Sequence, residues 1–272
     1  MKQNLNIVII IGLVLLILIL CFFPISSKEG FESKGEDKVF VINLPKDKQR
    51  FQEFKDYYDK SDMKHHPLHT FTAVIGKDVD SEEVLAEHAK PDFKRVVQTG
   101  KRQKHHELSH GGVGCFLSHY NVAKQLTEEQ DPAIQQYIVF EDDNVCTKDT
   151  QKKIRKAIEK LPDNWDILIG QTWRQTGDKI SSDINKPKSF WGTGLVVYNK
   201  KGAQRFVDEV NKTKIDGQVD AYLSRANQQG KLNIYSTNEN LVEDNSHNIS
   251  NIQMQLEGNG RDVFDYYGTS LE

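Results

Sequence analysis

Between Gln136 and Cys146 the chain reads Gln-Tyr-Ile-Val-Phe-Glu-Asp-Asp-Asn-Val-Cys, an apolar run that stops at three carboxylates, Glu141, Asp142 and Asp143. Four strand-forming residues without polar alternation (Tyr137 to Phe140) read as a strand buried on both faces. Such strands belong to mostly parallel sheets covered by helices, and these sheets hold ligands just beyond the strands' C-terminal ends. Three adjacent acids repel one another there unless positive charge is supplied. A hard divalent cation answers that need, because Mg²⁺ or Mn²⁺ takes one or two carboxylates and fills its other positions with phosphate oxygens. A solvated acidic turn is the plainer alternative. The remainder of the chain has to decide between them.

Near the N-terminus, Ile7 to Ile25 carries no charge. At ~1.5 Å per residue that run spans about 28 Å, close to the hydrocarbon thickness of a bilayer. It lacks a small-residue cleavage site and is followed by polar residues, so residues 1–6 are expected as a short tail, 7–25 as an uncleaved transmembrane signal-anchor and 26–37 as a stem. Lys2 on one side against Lys28, Lys34 and Lys38 on the other does not fix its direction. A short N-terminus before a large remainder makes a single-pass type II anchor the expectation, with the domain on the far side from the cytosol. Residues 38–272 suit one α/β domain able to bury a core without disulfides. A formal net charge of -3 argues against nucleic acid as a partner.

Along that domain, Val39 to Ile42 is a buried-strand candidate ending at Asn43, followed by a helix on which Phe51, Phe54 and Tyr58 share a face. Leu68 to Val74 is a second strand. This opening is that of a doubly wound, Rossmann-like sheet, and it puts Asn43 and Arg50 where such folds meet a nucleotide. Pro91 to His110 reads as a basic loop, either solvated or able to close over a diphosphate. Its His105, His106 and His110 lack an acid or cysteine at zinc-ligand spacing. Val113, Phe116, Leu117 and Tyr120 share the buried face of the next helix, near which Ser118 and His119 stand. Trp165 to Gly170 is another strand, and Gln171 to Lys188 reads as a polar acceptor-binding lid containing Trp173 and Arg174. Gly192-Thr193-Gly194 offers a backbone that can approach a ligand closely. Asp216 and Asp220 are four apart at the start of a helix, as cap or as proton acceptor. Leu232 to Tyr235 is the last strand, before a polar tail holding Glu243, Asp244 and His247.

In order, Val39-Phe-Val-Ile-Asn-Leu44 with Arg50, Phe71-Thr-Ala-Val-Ile-Gly-Lys77, Gly114-Cys-Phe-Leu-Ser-His119, Val139-Phe-Glu-Asp-Asp143, Gly192-Thr-Gly-Leu-Val-Val197 with Lys201-Gly202, and Ile215-Asp216 resemble family 25 glycosyltransferases, the lipooligosaccharide and collagen galactosyltransferase type. The resemblance implies a GT-A fold, an inverting transfer from a nucleotide-sugar (often UDP-galactose) and Mn²⁺ or Mg²⁺. It implies a glycan, glycoprotein or lipid-linked acceptor. On it, Asp143 and Glu141 are expected to ligate the metal, and His247 is a further candidate ligand without a motif. Asn43, Leu44, Arg50, Ser118, His119, Glu141, Asp142, Gly192 and Thr193 are expected to bind the donor. A carboxylate must take the acceptor's proton, with Asp216 the first candidate and Asp220 the second. Ile75 stands where the family usually carries an acid. Two rivals remain: a catalytically silent glycan-binding or surface protein on the same fold, and a metal-dependent phosphoesterase, for which clustered acids at other strand ends are missing.

Overall fold

The computed structural model describes residues 36–245, His105 apart. The apolar run Ile7–Ile25 and the candidate ligand His247 lie outside the described residues, and among the described residues no helix is long and apolar enough to cross a membrane.

In chain order the elements are β1 (Glu36–Asn43), α1 (Lys48–Lys60), β2 (Leu68–Thr72), α2 (Ser81–Val84), α3 (Lys90–Thr99), α4 (His110–Thr127), β3 (Ile134–Glu141), β4 (Asn144–Val145), α5 (Thr150–Glu159), β5 (Ile167–Ile169), β6 (Arg174–Lys179), β7 (Ile184–Trp191), β8 (Leu195–Asn199), α6 (Lys200–Thr213), α7 (Val219–Gln228), β9 (Ile234–Thr237) and β10 (Glu243–Asp244). One mixed sheet has the order β2-β1-β3-β8-β5-β9-β7-β6. Only β8 and β7 run against the other six strands. The expected mostly parallel, helix-flanked α/β sheet is therefore present, with antiparallel insertions.

Both faces are buried, as the unalternating strands required. Phe40 and Ile42 with Tyr137 and Val139 pack against Val113 and Phe116 of α4, Phe206 of α6 and Tyr222 of α7. Val39 and Val41 with Ile138 and Phe140 turn the other way, onto Phe54 and Tyr58 of α1 and Ile154 of α5. Successive side chains leave a strand on opposite faces, so an all-apolar run is what two covered faces demand. Caps set the helix entries that matter to the site. The Ser109 hydroxyl accepts from Gly112 N–H at 3.1 Å to open α4, and Asn199 accepts from Gly202 N–H at 2.7 Å to open α6.

Several boundaries depart from the sequence reading. The basic stretch 91–110 is not a loop throughout. Its first half is α3, with Pro91 in the first turn, Phe93 and Val96 buried, and Gly100 closing it in the left-handed region at φ 69°. Lysines and arginines on the outer face hide that short amphipathic pattern. Nor is Gln171–Lys188 a structureless lid. Most of it belongs to the β6–β7 hairpin at the sheet's edge, where a strand as polar as Arg-Gln-Thr-Gly-Asp-Lys survives because little of it is covered. The stem expected to 37 ends at β1, and the last long strand is Ile234–Thr237 rather than 232–235.

Candidate active site

β1 and β3 are parallel neighbours with Ile42 opposite Glu141, so Asn43 and the three acids leave the sheet side by side. β8 runs the other way, with Leu195 opposite Phe140, which brings the turn before it to the same end. Glu141 N–H donates to the Gly194 carbonyl at 2.8 Å, locking that turn to the acid tip. A Cβ on Gly194 would fall among the amide ends of the Gln171 and Asn144 side chains, which would have to shift to admit it. From the far end of the chain, β10 pairs with β4, Asp244 opposite Asn144, and adds a fourth carboxylate.

The three consecutive acids have different partners. Glu141 accepts from Thr193 Oγ1 at 2.8 Å and meets His119 Nε2 at 3.2 Å, while His119 Nδ1 lies 3.0 Å from the Tyr198 hydroxyl. Asp142 accepts from Asn43 Nδ2 at 2.6 Å and pairs with the Arg50 guanidinium. Asp143 has Arg50 at 3.4 Å. Burial, and then the charge of Glu141, push the Asp143 carboxyl up to about 7 against the pull of Arg50. Burial also raises Asp142, although Arg50 and Asn43 oppose it, and raises Asp244, where Glu141 adds to the effect. Burial works upward on Glu141 too, but the hydrogen bonds from His119 and Thr193 bring its carboxyl below the ordinary value.

The four acids, with Arg50, His119 and Thr193, line a cleft of about 460 Å³. Leu44 and Lys46 of the β1–α1 connection, Arg50 of α1 and Ala73 to Lys77 after β2 line it, as do Trp173, Gly192, Thr193, Gln218 and Asp220. The 74–76 segment is seated tightly on α4. Val74 N–H donates to Ser118 Oγ at 2.8 Å, the same hydroxyl donates to Gly114 O at 2.7 Å, and Cβ atoms on Gly76 or Gly114 would overlap the backbone opposite. Ser118 thus lines the cleft and also holds its wall. Ile75, in the place of an acid, is exposed at the rim.

The two carboxylates considered as bases separate here. Asp220 lines the cleft, and its Oδ2 accepts from Gly192 N–H at 2.9 Å. Asp216 does not line it. It pairs with Arg225 and lies 3.7 Å from His88 in a second cavity of about 370 Å³. Helical spacing would have put both acids on one face, but α7 begins at Val219, so Asp216 sits in extended chain before it. The residues that sequence reasoning missed are Tyr198 behind His119 and Asp244 at the tip. Asp244 had no local signal, since a two-residue strand far along the chain places it.

The donor set fits a hard cation. Four carboxylates (Glu141, Asp142, Asp143 and Asp244) converge with one guanidinium among them, and three of the four are pushed up by burial and by mutual repulsion. Cys115, His119 and Glu141 also bring ligand atoms within 4.8 Å of one another. That trio suits Mn²⁺ or Mg²⁺ less well. Burial holds the Cys115 thiol protonated, and the His119 ring already serves Tyr198 and Glu141.

The family model described as glycosyltransferase family 25 (LPS biosynthesis protein) matches residues 36–213. Human procollagen galactosyltransferase 2 is 24% identical over 188 residues, 65% of this chain and 28% of that protein. A mouse protein named inactive glycosyltransferase 25 family member 3 is 31% identical over 143 residues, 53% of this chain and 21% of that protein. The chain therefore spans less than a third of the length of these relatives. Among solved structures, a mutant of Drosophila β-1,4-galactosyltransferase 7 in complex with manganese, UDP-Gal and xylobiose aligns at a TM-score of 0.41 and 6% identity, over 84% of this chain and 79% of that one. So distant a likeness does not bear on function. With the family model covering well over half the chain, and its acid-tipped strand, glycine turn and β1–α1 arginine meeting at one cleft, this chain belongs to glycosyltransferase family 25.

Proposed function

We propose that this chain is a metal-dependent, inverting GT-A glycosyltransferase that moves a hexose, galactose in the first instance, from a UDP-sugar to a hydroxyl of a glycan or glycoprotein acceptor. The observation that carries the reading is the convergence of four acids and one arginine at a strand tip beside a cleft of about 460 Å³. Asp143, with Glu141 and Asp244 beside it, would hold Mn²⁺ or Mg²⁺. Bound there, the ion supplies Lewis-acid neutralisation of charge on the leaving diphosphate.

The chain's own groups do the rest. Arg50 is pinned by Asp142 and has Lys46 and Lys77 on the same cleft, which gives the diphosphate end a positive rim. Glu141 is held by His119 and Thr193 and stays ionised. Asp220 accepts the acceptor hydroxyl's proton as the oxygen attacks the anomeric carbon, from the face opposite the departing diphosphate. Its second oxygen, Oδ1, accepts from Ala221 N–H at 2.7 Å, which fixes the carboxylate plane.

With the full chain, UDP-galactose and Mn²⁺, release of UDP should require the metal and stop on chelation. Asp143→Ala and Asp220→Asn should each lower transfer by about two orders of magnitude or more while melting no lower than wild type when both are free of metal. Wild type that releases no nucleotide from any sugar donor supports the second reading, a catalytically silent glycan-binding protein. The similarity to a relative named inactive is what favours that alternative. The anchor at Ile7–Ile25, carried by its uncharged run, and its type II orientation belong to the same proposal. Protease protection of the domain in sealed membranes tests them.

A further inference from the structure

Trp173 is one of five large apolar side chains left exposed among the described residues. It is 53% exposed, although the backbone around it is pinned on every side. Its own N–H donates to Trp191 O at 2.8 Å. The preceding residue, Thr172, is clamped by Asn240, whose Oδ1 accepts from Thr172 N–H and whose Nδ2 donates to Thr172 O, both at 3.0 Å. The next residue, Arg174, lays its guanidinium over the Trp191 ring at 5.5 Å. A bulky indole left in water on so rigid a root gains nothing for folding. It also lines the catalytic cleft, next to Gly192, whose N–H is held by the Asp220 carboxylate.

We infer that Trp173 is the stacking platform for a pyranose ring of the acceptor, so that the acceptor is a saccharide rather than a bare peptide hydroxyl. The inference rests on the glycosyl-transfer reading above. A pyranose offers a flat face of C–H bonds with hydroxyls around its edge. The indole supplies the matching apolar plane, and Asp220, Thr193 and Gln218 supply polar groups beside it on the same cleft. Lys46, Arg50 and Lys77 give the same cleft cationic groups for the donor's diphosphate, a role that an uncharged indole does not serve. Trp173 N–H on Trp191 O, and the N–H of the following Gly192 on Asp220 Oδ2, tie the root of the platform to the base through adjacent backbone. The rival occupant is a cationic peptide acceptor, whose lysine ammonium can also sit over an indole.

The test uses the full chain with Mn²⁺ and UDP-galactose, comparing wild type, Trp173→Ala and Trp173→Phe. The acceptors are p-nitrophenyl β-D-galactoside, β-D-glucoside and N-acetyl-β-D-glucosaminide, and separately an unglycosylated peptide rich in serine, threonine and lysine. In W173A the KM for a pyranoside acceptor should rise about tenfold, as loss of an aromatic stack worth ~1.4 kcal/mol would give, while the KM for UDP-galactose keeps its wild-type value. W173F should recover most of the loss. An unchanged pyranoside KM in W173A overturns the inference, as does an equal rise in donor KM, or transfer confined to the peptide. Saturation-transfer NMR with methyl β-D-pyranosides reads the platform without transfer. A signal in wild type that W173A abolishes supports it even where no UDP is released, whereas wild type active on UDP-galactose with W173A indistinguishable from it sinks the platform and leaves the transferase reading standing.

Discussion

Glu141, Asp142 and Asp143 are consecutive, yet the backbone turns each carboxylate toward different chemistry. Glu141 still belongs to the strand and faces His119, which is fully buried between the sheet and α4. Asp142 meets Asn43 and Arg50, both delivered by the neighbouring parallel strand and its helix. Asp143, past the strand, keeps the least compensation. The Tyr198–His119–Glu141 line is a positioning device, and its cost of removal should be graded. Tyr198→Phe takes away one partner of the imidazole and should cost about 1 kcal/mol. His119→Phe leaves both the Tyr198 hydroxyl and the Glu141 carboxylate short of a partner and should cost about 3 kcal/mol. Urea unfolding with an unchanged m-value reads both, and equal costs for the two variants would mean the line does not act as one network. The acids, Asn43, Arg50 and the glycine turn could be read from sequence because each sits within a few residues of a recognisable strand end. Asp216 misled because a spacing of four carries meaning only inside a helix, and α7 starts three residues later.

At the scale of elements, the cleft depends on how closely the segment after β2 is pressed onto α4. Gly76 and Gly114 face each other across that seam with no room for a side chain on either. Gly76→Ala should therefore cost about 2–3 kcal/mol and also raise the donor KM, since the same segment lines the cleft. Gly230 is the useful contrast. It has φ 68° and nothing within 4 Å of the place a Cβ would take, so Gly230→Ala should cost only about 1 kcal/mol of backbone strain and leave kinetics alone. Thermal melts and UDP release on the pair separate a packing constraint from a conformational one. The elements that escaped the sequence reading did so for related reasons. α3 buries only Phe93 and Val96 of its ten residues, too few for its period to show through the charges. The β6 strand is polar because it is the outermost strand of the sheet, paired on one side only. Core strands were legible because burial on both faces leaves no choice of residue.

For the molecule as a whole, gathering acids at one strand tip couples stability to pH and to metal. In the metal-free protein Asp143 keeps its proton up to about 7, whereas the unfolded chain releases it near the ordinary carboxylate value of about 4. Between those limits the native state binds more protons than the unfolded one, so stability falls as pH rises through that window and is level above it. A divalent cation removes this penalty by taking the proton's place, and its benefit is therefore greater at pH 7.5, where no proton competes, than at pH 5.5. At a metal concentration near 100 times Kd, linkage supplies about 2.7 kcal/mol, which for a domain of this size is a rise in Tm of about 5–10 °C. Mn²⁺ should give a shift of that order at pH 7.5 and a smaller one at pH 5.5 for the same total metal. Asp143→Ala should melt no lower than chelated wild type at pH 7.5, because it deletes a repelled, buried charge, and it should lose the Mn²⁺ shift at both pH values. A shift of equal size at the two pH values, or one that survives in Asp143→Ala, would place the ion away from the strand tip and detach the acids from the chemistry proposed for them.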